Sequence, residues 1–294
     1  MILARHVAPW DPTVVVAVCH PVGEEEIATY PICVTCGVQH STTTSGCKIC
    51  EDERQYVGWD GQQWTDLPDM RTAGFSNRIE ELEPGLWGIG TEPQFAIGQR
   101  SLLVTTPGGN VLWDPISYLD QETIERLNSL GGVQAISASH PHFYGAIVEW
   151  SQAFGAPIHL PAADREWVCR EDSAYVFYDD LVEPVPGISV VRCRGHFDGS
   201  AVLHWPDGAG GKGALLTGDT IQVVLDRRYA SFMRSYPNLI PLDPETIRAL
   251  LARIAHLSYD RIYGGWWGRN ILTGAAAAVA ASAERYIRRT GEIH

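Results

Sequence analysis

Long apolar runs are missing from this chain. The longest, VVVAV at Val14–Val18 and the alanine-rich stretch Ala275–Ala281, fall far short of the roughly 20 residues a helix needs to cross a bilayer, so no membrane-spanning segment is expected. The first twenty residues carry Arg5 but no long apolar core followed by a small-residue cleavage site, which argues against a signal peptide and for a cytoplasmic protein. Basic stretches are missing as well. The 22 Lys and Arg residues are scattered among 35 Asp and Glu, for a formal net charge of −13, and such a surface repels a phosphate backbone. Nucleic acid is therefore excluded as an expected partner. No internal repeat of fixed period is found.

What the chain does have is material for a core. Its 294 residues are 45% apolar and 10% aromatic, enough for one large globular domain with a small accessory unit, or for two domains. Cysteine is used unevenly. Of seven cysteines, four form the pairs Cys33-x2-Cys36 and Cys47-x2-Cys50, separated by ten residues. Two thiolates from each tight turn can close a tetrahedron around zinc at about 2.3 Å per bond. A segment too small for its own core gains its fold from such an ion, so the expected role is structural; a rubredoxin-type iron site would use the same thiolates. Cys19, Cys169 and Cys193 are read as small apolar residues.

Texture divides the chain. Residues 1–58 are short segments broken by Pro, Gly, Ser and Thr and are read as an N-terminal arm with a four-cysteine zinc-ribbon unit; residues 59–78 are read as a linker; residues 79–294 form the main domain. In the last, short β-branched runs alternate with helical ones, the pattern of an α/β fold. DQETIERLNSL places Ile124, Leu127 and Leu130 at helical spacing and ends at Gly131-Gly132, a suitable C-cap. VQAIS, ISVVRC, SAVLHW, GALLT and DRIY read as strands, and PETIRALLARIAHL and the stretch ending in AERYIRRT as helices.

Several of these strands end in polar clusters, where α/β folds gather ligands. VQAIS runs into His140 and His142, ISVVRCRG into His196, GALLTG into Asp219, and DRIYGG into Trp266. Three neutral imidazoles and a carboxylate are a usual shell for zinc, and also serve iron or manganese. Of the other histidines, His20, His40, His159, His204, His256 and His294 are read as ordinary core or surface residues.

Taken together, SHPHFYGA, GHFDGS, LLTGDT and the strand before IYGGWWG resemble the metallo-β-lactamase superfamily over about Glu83 to Thr290. The resemblance implies an αββα sandwich with metal at one edge. It matches His140 and His142 to the first two histidines of the HxHxDH motif, His196 to the histidine of the following turn, and Asp219 to the aspartate that bridges two metals. Asp114, in GNVLWDP, would support the site rather than bind metal. Where the family pattern continues Asp-His, this chain has Tyr144-Gly145, and where the last strand supplies histidine it has Gly264-Gly265-Trp266. The ligands peculiar to the second ion are therefore missing, and one ion is expected.

The function implied is that of a mononuclear metal-dependent hydrolase cleaving a small ester, lactone, thioester or amide through metal-bound hydroxide. Asp219 and Tyr144 are the expected catalytic residues, Tyr144 as an oxyanion donor, since an unperturbed phenol near pKa 10 makes a poor base. Asp198 is read as a turn residue. Phe143, Phe197, Tyr263 and Trp266 would line an apolar pocket, with Arg269 meeting an anionic group. A small molecule is the expected partner, and the N-terminal region is read as a docking or homo-oligomerisation element. Two alternatives stand beside this: a binding module that lost catalysis with its second metal, and a mononuclear iron oxygenase, although relatives of that kind keep the missing Asp-His.

Overall fold

A computed structural model describes residues 29–291; the VVVAV segment, Cys19, His20 and His294 lie outside the described residues. Two sheets stack face to face. The first has seven strands that neighbour one another in chain order, Ser76–Glu83, Leu86–Glu92, Arg100–Val104, Val111–Trp113, Ala135–Ser137, Ile158–Pro161 and Tyr175–Tyr178. They pair antiparallel up to Val111–Trp113 and parallel beyond it. The second has six, Leu181–Val185, Ile188–Arg192, Ala201–Trp205, Ala214–Leu216, Arg261–Tyr263 and Asn270–Ile271, with a single parallel pairing between Ala214–Leu216 and Arg261–Tyr263. Among the described residues, no helix is long and apolar enough to cross a membrane.

The period-two alternation of the strands sorts side chains into three apolar layers. Leu102, Val104, Val111, Trp113 and Ala135 face Ile188, Val190, Leu203, Trp205 and Leu216 between the sheets. Their intervening neighbours Leu103, Leu112 and Ile136 point outward to a second core that takes in Leu127 and Trp150 of the helices Gln121–Ser129 and Ile147–Phe154. Val191, Val202, Leu215 and Ile262 do the same on the other side, beneath the helices Pro244–Ile254 and Ala275–Gly291. Both faces of each sheet are thus covered, and the architecture is the expected αββα sandwich. Helix Gln121–Ser129 starts on an Asp120 cap that accepts from Thr123 N and stops at Gly131 and Gly132, both with positive φ.

The four-cysteine unit packs on the sandwich. Strand Ile32–Cys33 pairs with Trp64–Thr65, so the stretch 59–78 contains half of the ribbon. It also holds a helix, Leu67–Thr72, capped by Asp66 and started by Pro68, and the first strand of the large sheet, which begins at Ser76. The expectation of a linker over 59–78 is corrected here: its elements are too short to leave a periodic signal in the sequence. Strands Tyr175–Tyr178 and Leu181–Val185, joined by Asp179-Asp180, also went without a sequence signal, since Pro184 and the acidic turn break the apolar pattern.

Candidate metal centre

Strand ends from both sheets meet at one edge. Ala135–Ser137 leads into His140 and a single 3-10 turn, Pro141–Phe143, that carries His142. The connection between Ile188–Arg192 and Ala201–Trp205 carries His196, and Ala214–Leu216 leads into Asp219. Each of the four groups offers a donor atom, and these atoms lie within 4.8 Å of one another. His142 Nδ1 and His196 Nε2 are 3.3 Å apart, and His140 Nε2 and Asp219 Oδ2 are 3.8 Å apart. A tetrahedral ion at 2.0–2.1 Å from its ligands separates them by about 3.3 Å, so the donor set fits one.

The outer hydrogen bonds orient these donors, as metal-ligating imidazoles require. His196 donates its Nδ1–H to the Met233 carbonyl at 3.0 Å, which leaves the Nε2 lone pair facing the cluster. His140 Nδ1 shares a 2.9 Å bond with the Ser139 hydroxyl, leaving the buried Nε2 without a protein partner. Asp219 Oδ1 accepts from Gln222 Nε2 at 2.7 Å. Asp114 binds no metal position; its carboxylate accepts from Ser139 N at 2.6 Å and so props the residue before His140. Burial drives His140 and His142 well below the ordinary imidazole range and His196 to about 4, while it raises Asp219 to about 7. The imidazoles are therefore neutral, the form that binds metal.

Aromatic packing closes the surroundings. Phe143 lies 4.8 Å from the His140 ring and meets Trp266 edge-on at 5.5 Å, and the Trp266 indole donates to the Ile97 carbonyl. Phe197 contacts all three histidine rings. The ligands are 1–5% exposed. The place where the family pattern puts further ligands is filled: a Cβ at Gly265 would sit 2.5 Å from the Phe143 ring, and one at Gly145, where φ is +50°, would overlap the Pro115 carbonyl.

Three expected residues are not placed at the centre. Tyr144 follows the 3-10 turn and is rotated away from His142, because three residues complete a revolution there; its ring belongs to the outer core with Trp150 and Ile158, and its hydroxyl has no partner. Tyr263 falls on the inward phase of its strand and joins the core between the sheets, its hydroxyl beside Arg261. Arg269 lies on the hairpin with Gly264, held there by its backbone carbonyl, and among the described residues its guanidinium makes no hydrogen bond to place it at the cluster. Asp198 is exposed and uses its backbone carbonyl, accepting from Arg192.

Arg54 was absent from the expectations. Carried by the four-cysteine unit, it donates Nε–H to the His196 carbonyl at 2.8 Å and places its guanidinium carbon over the Phe197 ring, 4.4 Å from the centroid. Nothing in the sequence marks it, since its role depends on where the unit docks. In the unit itself all four thiols are free and buried, and the Cys33–Cys50 and Cys36–Cys47 sulfurs are 3.6 and 3.7 Å apart. That matches the roughly 3.8 Å expected around a tetrahedral ion with 2.3 Å bonds. Gln62 donates to Cys33 Sγ, and His40 Nε2 lies 3.4 Å from Cys47 Sγ, so His40 is a partner of the cluster rather than a plain core residue. His204 has the ordinary role expected of it, bonded to the Ser258 carbonyl.

No family model matches the chain. It is 48% identical over 264 residues to YmaE of Bacillus subtilis (strain 168), described as an uncharacterized protein, covering 88% of this chain and 96% of the relative. Among solved structures it is similar to the DIM-1 metallo-β-lactamase, with a TM-score of 0.53 and 14% identity over 74% of this chain and 99% of that one. It is also similar to VMB-1, with a TM-score of 0.53 and 13% identity over 73% and 98%.

Proposed function

The chain belongs to one family with YmaE and is built on the metallo-β-lactamase fold, and from that premise we propose that it is a mononuclear metal-dependent hydrolase of a small ester, lactone, thioester or amide. The observation that carries this reading is the convergence of His140, His142, His196 and Asp219 from separate strand ends, with the His196 tautomer set by Met233. Zinc is the ion proposed, with iron or manganese as alternatives for the same donors. Such an ion polarises a carbonyl and lowers the pKa of water toward 7.

The chain's own groups do the rest. With the three histidines as the ion's ligands and its fourth position left to water or substrate, Asp219, fixed by Gln222 through one oxygen, presents the other beside that position and can accept a proton there. Phe143, Phe197 and Trp266 exclude bulk water and favour a small substrate with an apolar body. Tyr144 is given no catalytic role. The four-cysteine unit holds a structural ion, and its free thiols suit the reducing cytoplasm in which we place the protein.

A second reading, a ligand-binding module without turnover, is favoured by the near-complete burial of the ligands and by the aromatic filling at Gly265. Elemental analysis separates the two. The hydrolase reading expects about two ions per chain, one of them lost in a His140→Ala, His142→Ala, His196→Ala variant, and turnover of a compound in an ester, lactone, thioester and amide panel. One ion per chain, retained in that variant, would overturn it. Two ions with no turnover across the panel would leave the binding module.

A further inference from the structure

We propose that Arg54 is a positioning residue of the His–Asp centre, through which the four-cysteine unit holds His196 in place. This rests on the metal reading of that centre. The contacts form a closed circuit. The Arg54 side chain donates to the His196 carbonyl at 2.8 Å; the His196 ring donates to the Met233 carbonyl at 3.0 Å; and two residues on, the Ser235 hydroxyl donates to the Arg54 carbonyl at 3.1 Å. His196 is thus gripped at both its backbone and its ring by segments that are themselves bonded together. Asn238 adds bonds to the Glu53 and Gln55 carbonyls at 2.9 and 3.0 Å, and Arg234 pairs with Glu53.

The Arg54 loop is in turn placed by the cysteine cluster. It begins directly after Cys50, and Glu51 N donates to the Cys47 carbonyl at 3.0 Å. A guanidinium suits the position in a way that an ammonium does not. Its Nε–H reaches His196, its Nη1 reaches Asp52 Oδ1 at 2.8 Å, and its Cζ lies over the ring of Phe197, a residue that also contacts His140 and His142. Lysine offers a single point charge and no planar fork. Burying a fixed cation 9% exposed beside a cation-binding cluster is costly unless its bonds are made, and here they are.

The test measures zinc affinity of the His–Asp centre by competition with a chelator too weak to strip the cysteine-bound ion, in the full chain and in Arg54→Lys, Arg54→Met and Arg54→Ala. Outer-shell partners of metal ligands change affinity about 10–100-fold, and a loss of that size is expected in all three, with one cysteine-bound zinc per chain retained as the check on folding. Were Arg54 only a space-filling stem, the lysine and methionine variants would keep wild-type affinity, and that result overturns the proposal. If the alanine variant fails to fold, the lysine and methionine variants decide between the two outcomes. A wild-type chain that takes up no zinc beyond the cysteine site overturns the metal reading itself, whereas zinc bound equally well by wild type and the Arg54 variants overturns this inference alone.

Discussion

Replacing Asp164 with asparagine should flatten the dependence of stability on pH. Asp164 sits behind the loop that carries His196, its Oδ1 accepting from Gly199 N at 2.7 Å, while its Oδ2 is buried without a partner, as are the hydroxyls of Tyr144 and Tyr178. Burial raises this carboxyl from 3.8 to about 7. Because the folded value lies above the unfolded one, the contribution is complete below pH 4 and is lost as pH climbs to 7. At 1.36 kcal/mol per unit of pKa, that loss amounts to about 4 kcal/mol. For a domain of this size 1 kcal/mol moves the melting temperature by about 2–4 °C, so wild type should fall relative to Asp164→Asn by on the order of 10 °C between pH 4.5 and 8. Protonation of the metal ligands is common to both proteins and cancels in the difference between their melting curves. Asparagine keeps an acceptor for Gly199 N and cannot ionise. Melting temperatures that run parallel across this range would refute the claim that Asp164 is held as a neutral acid.

Tyr144→Phe removes a buried hydroxyl without a partner; stability in urea should stay within about 1 kcal/mol of wild type or rise, with turnover unchanged, and a tenfold loss of turnover would return the phenol to the site. Gly265→Ala puts a methyl 2.5 Å from the Phe143 ring, which packs at a tilt against His140. Overpacking should cost about 1–3 kcal/mol in chemical denaturation and weaken zinc binding at the histidines, whereas wild-type values for both would mean the aromatic plug yields freely. Asp114→Ala leaves the buried Ser139 N–H without its acceptor and should destabilise by about 1–3 kcal/mol. Asp114→Asn retains an acceptor and tolerates the φ of +57° found there, so its loss should be smaller; equal losses would show that the Ser139 bond is not the cause.

How far the sequence was legible depended on whether a residue's role is set locally. His140, His142, His196 and Asp219 follow strands whose apolar runs are visible, so their convergence could be read from strand ends alone, and the same holds for the cysteine pairs, whose spacing encodes their turn. The αββα sandwich was legible because alternation along strands such as Ala201–Trp205 supplies two buried faces, each needing a layer to cover it. Tyr144 and Tyr263 adjoin ligands or follow the right strand, yet proximity in sequence does not say which way a side chain turns. A three-residue revolution takes Tyr144 to the outer core, and strand phase takes Tyr263 inward. Arg54 lies at the opposite extreme. It stands 142 residues from the carbonyl it holds, on a unit whose docking is decided by many small contacts, so no local pattern could announce it. The interactions hardest to read were thus those that join the four-cysteine unit to the sandwich, and they are also the ones that reach His196 from outside its own strand.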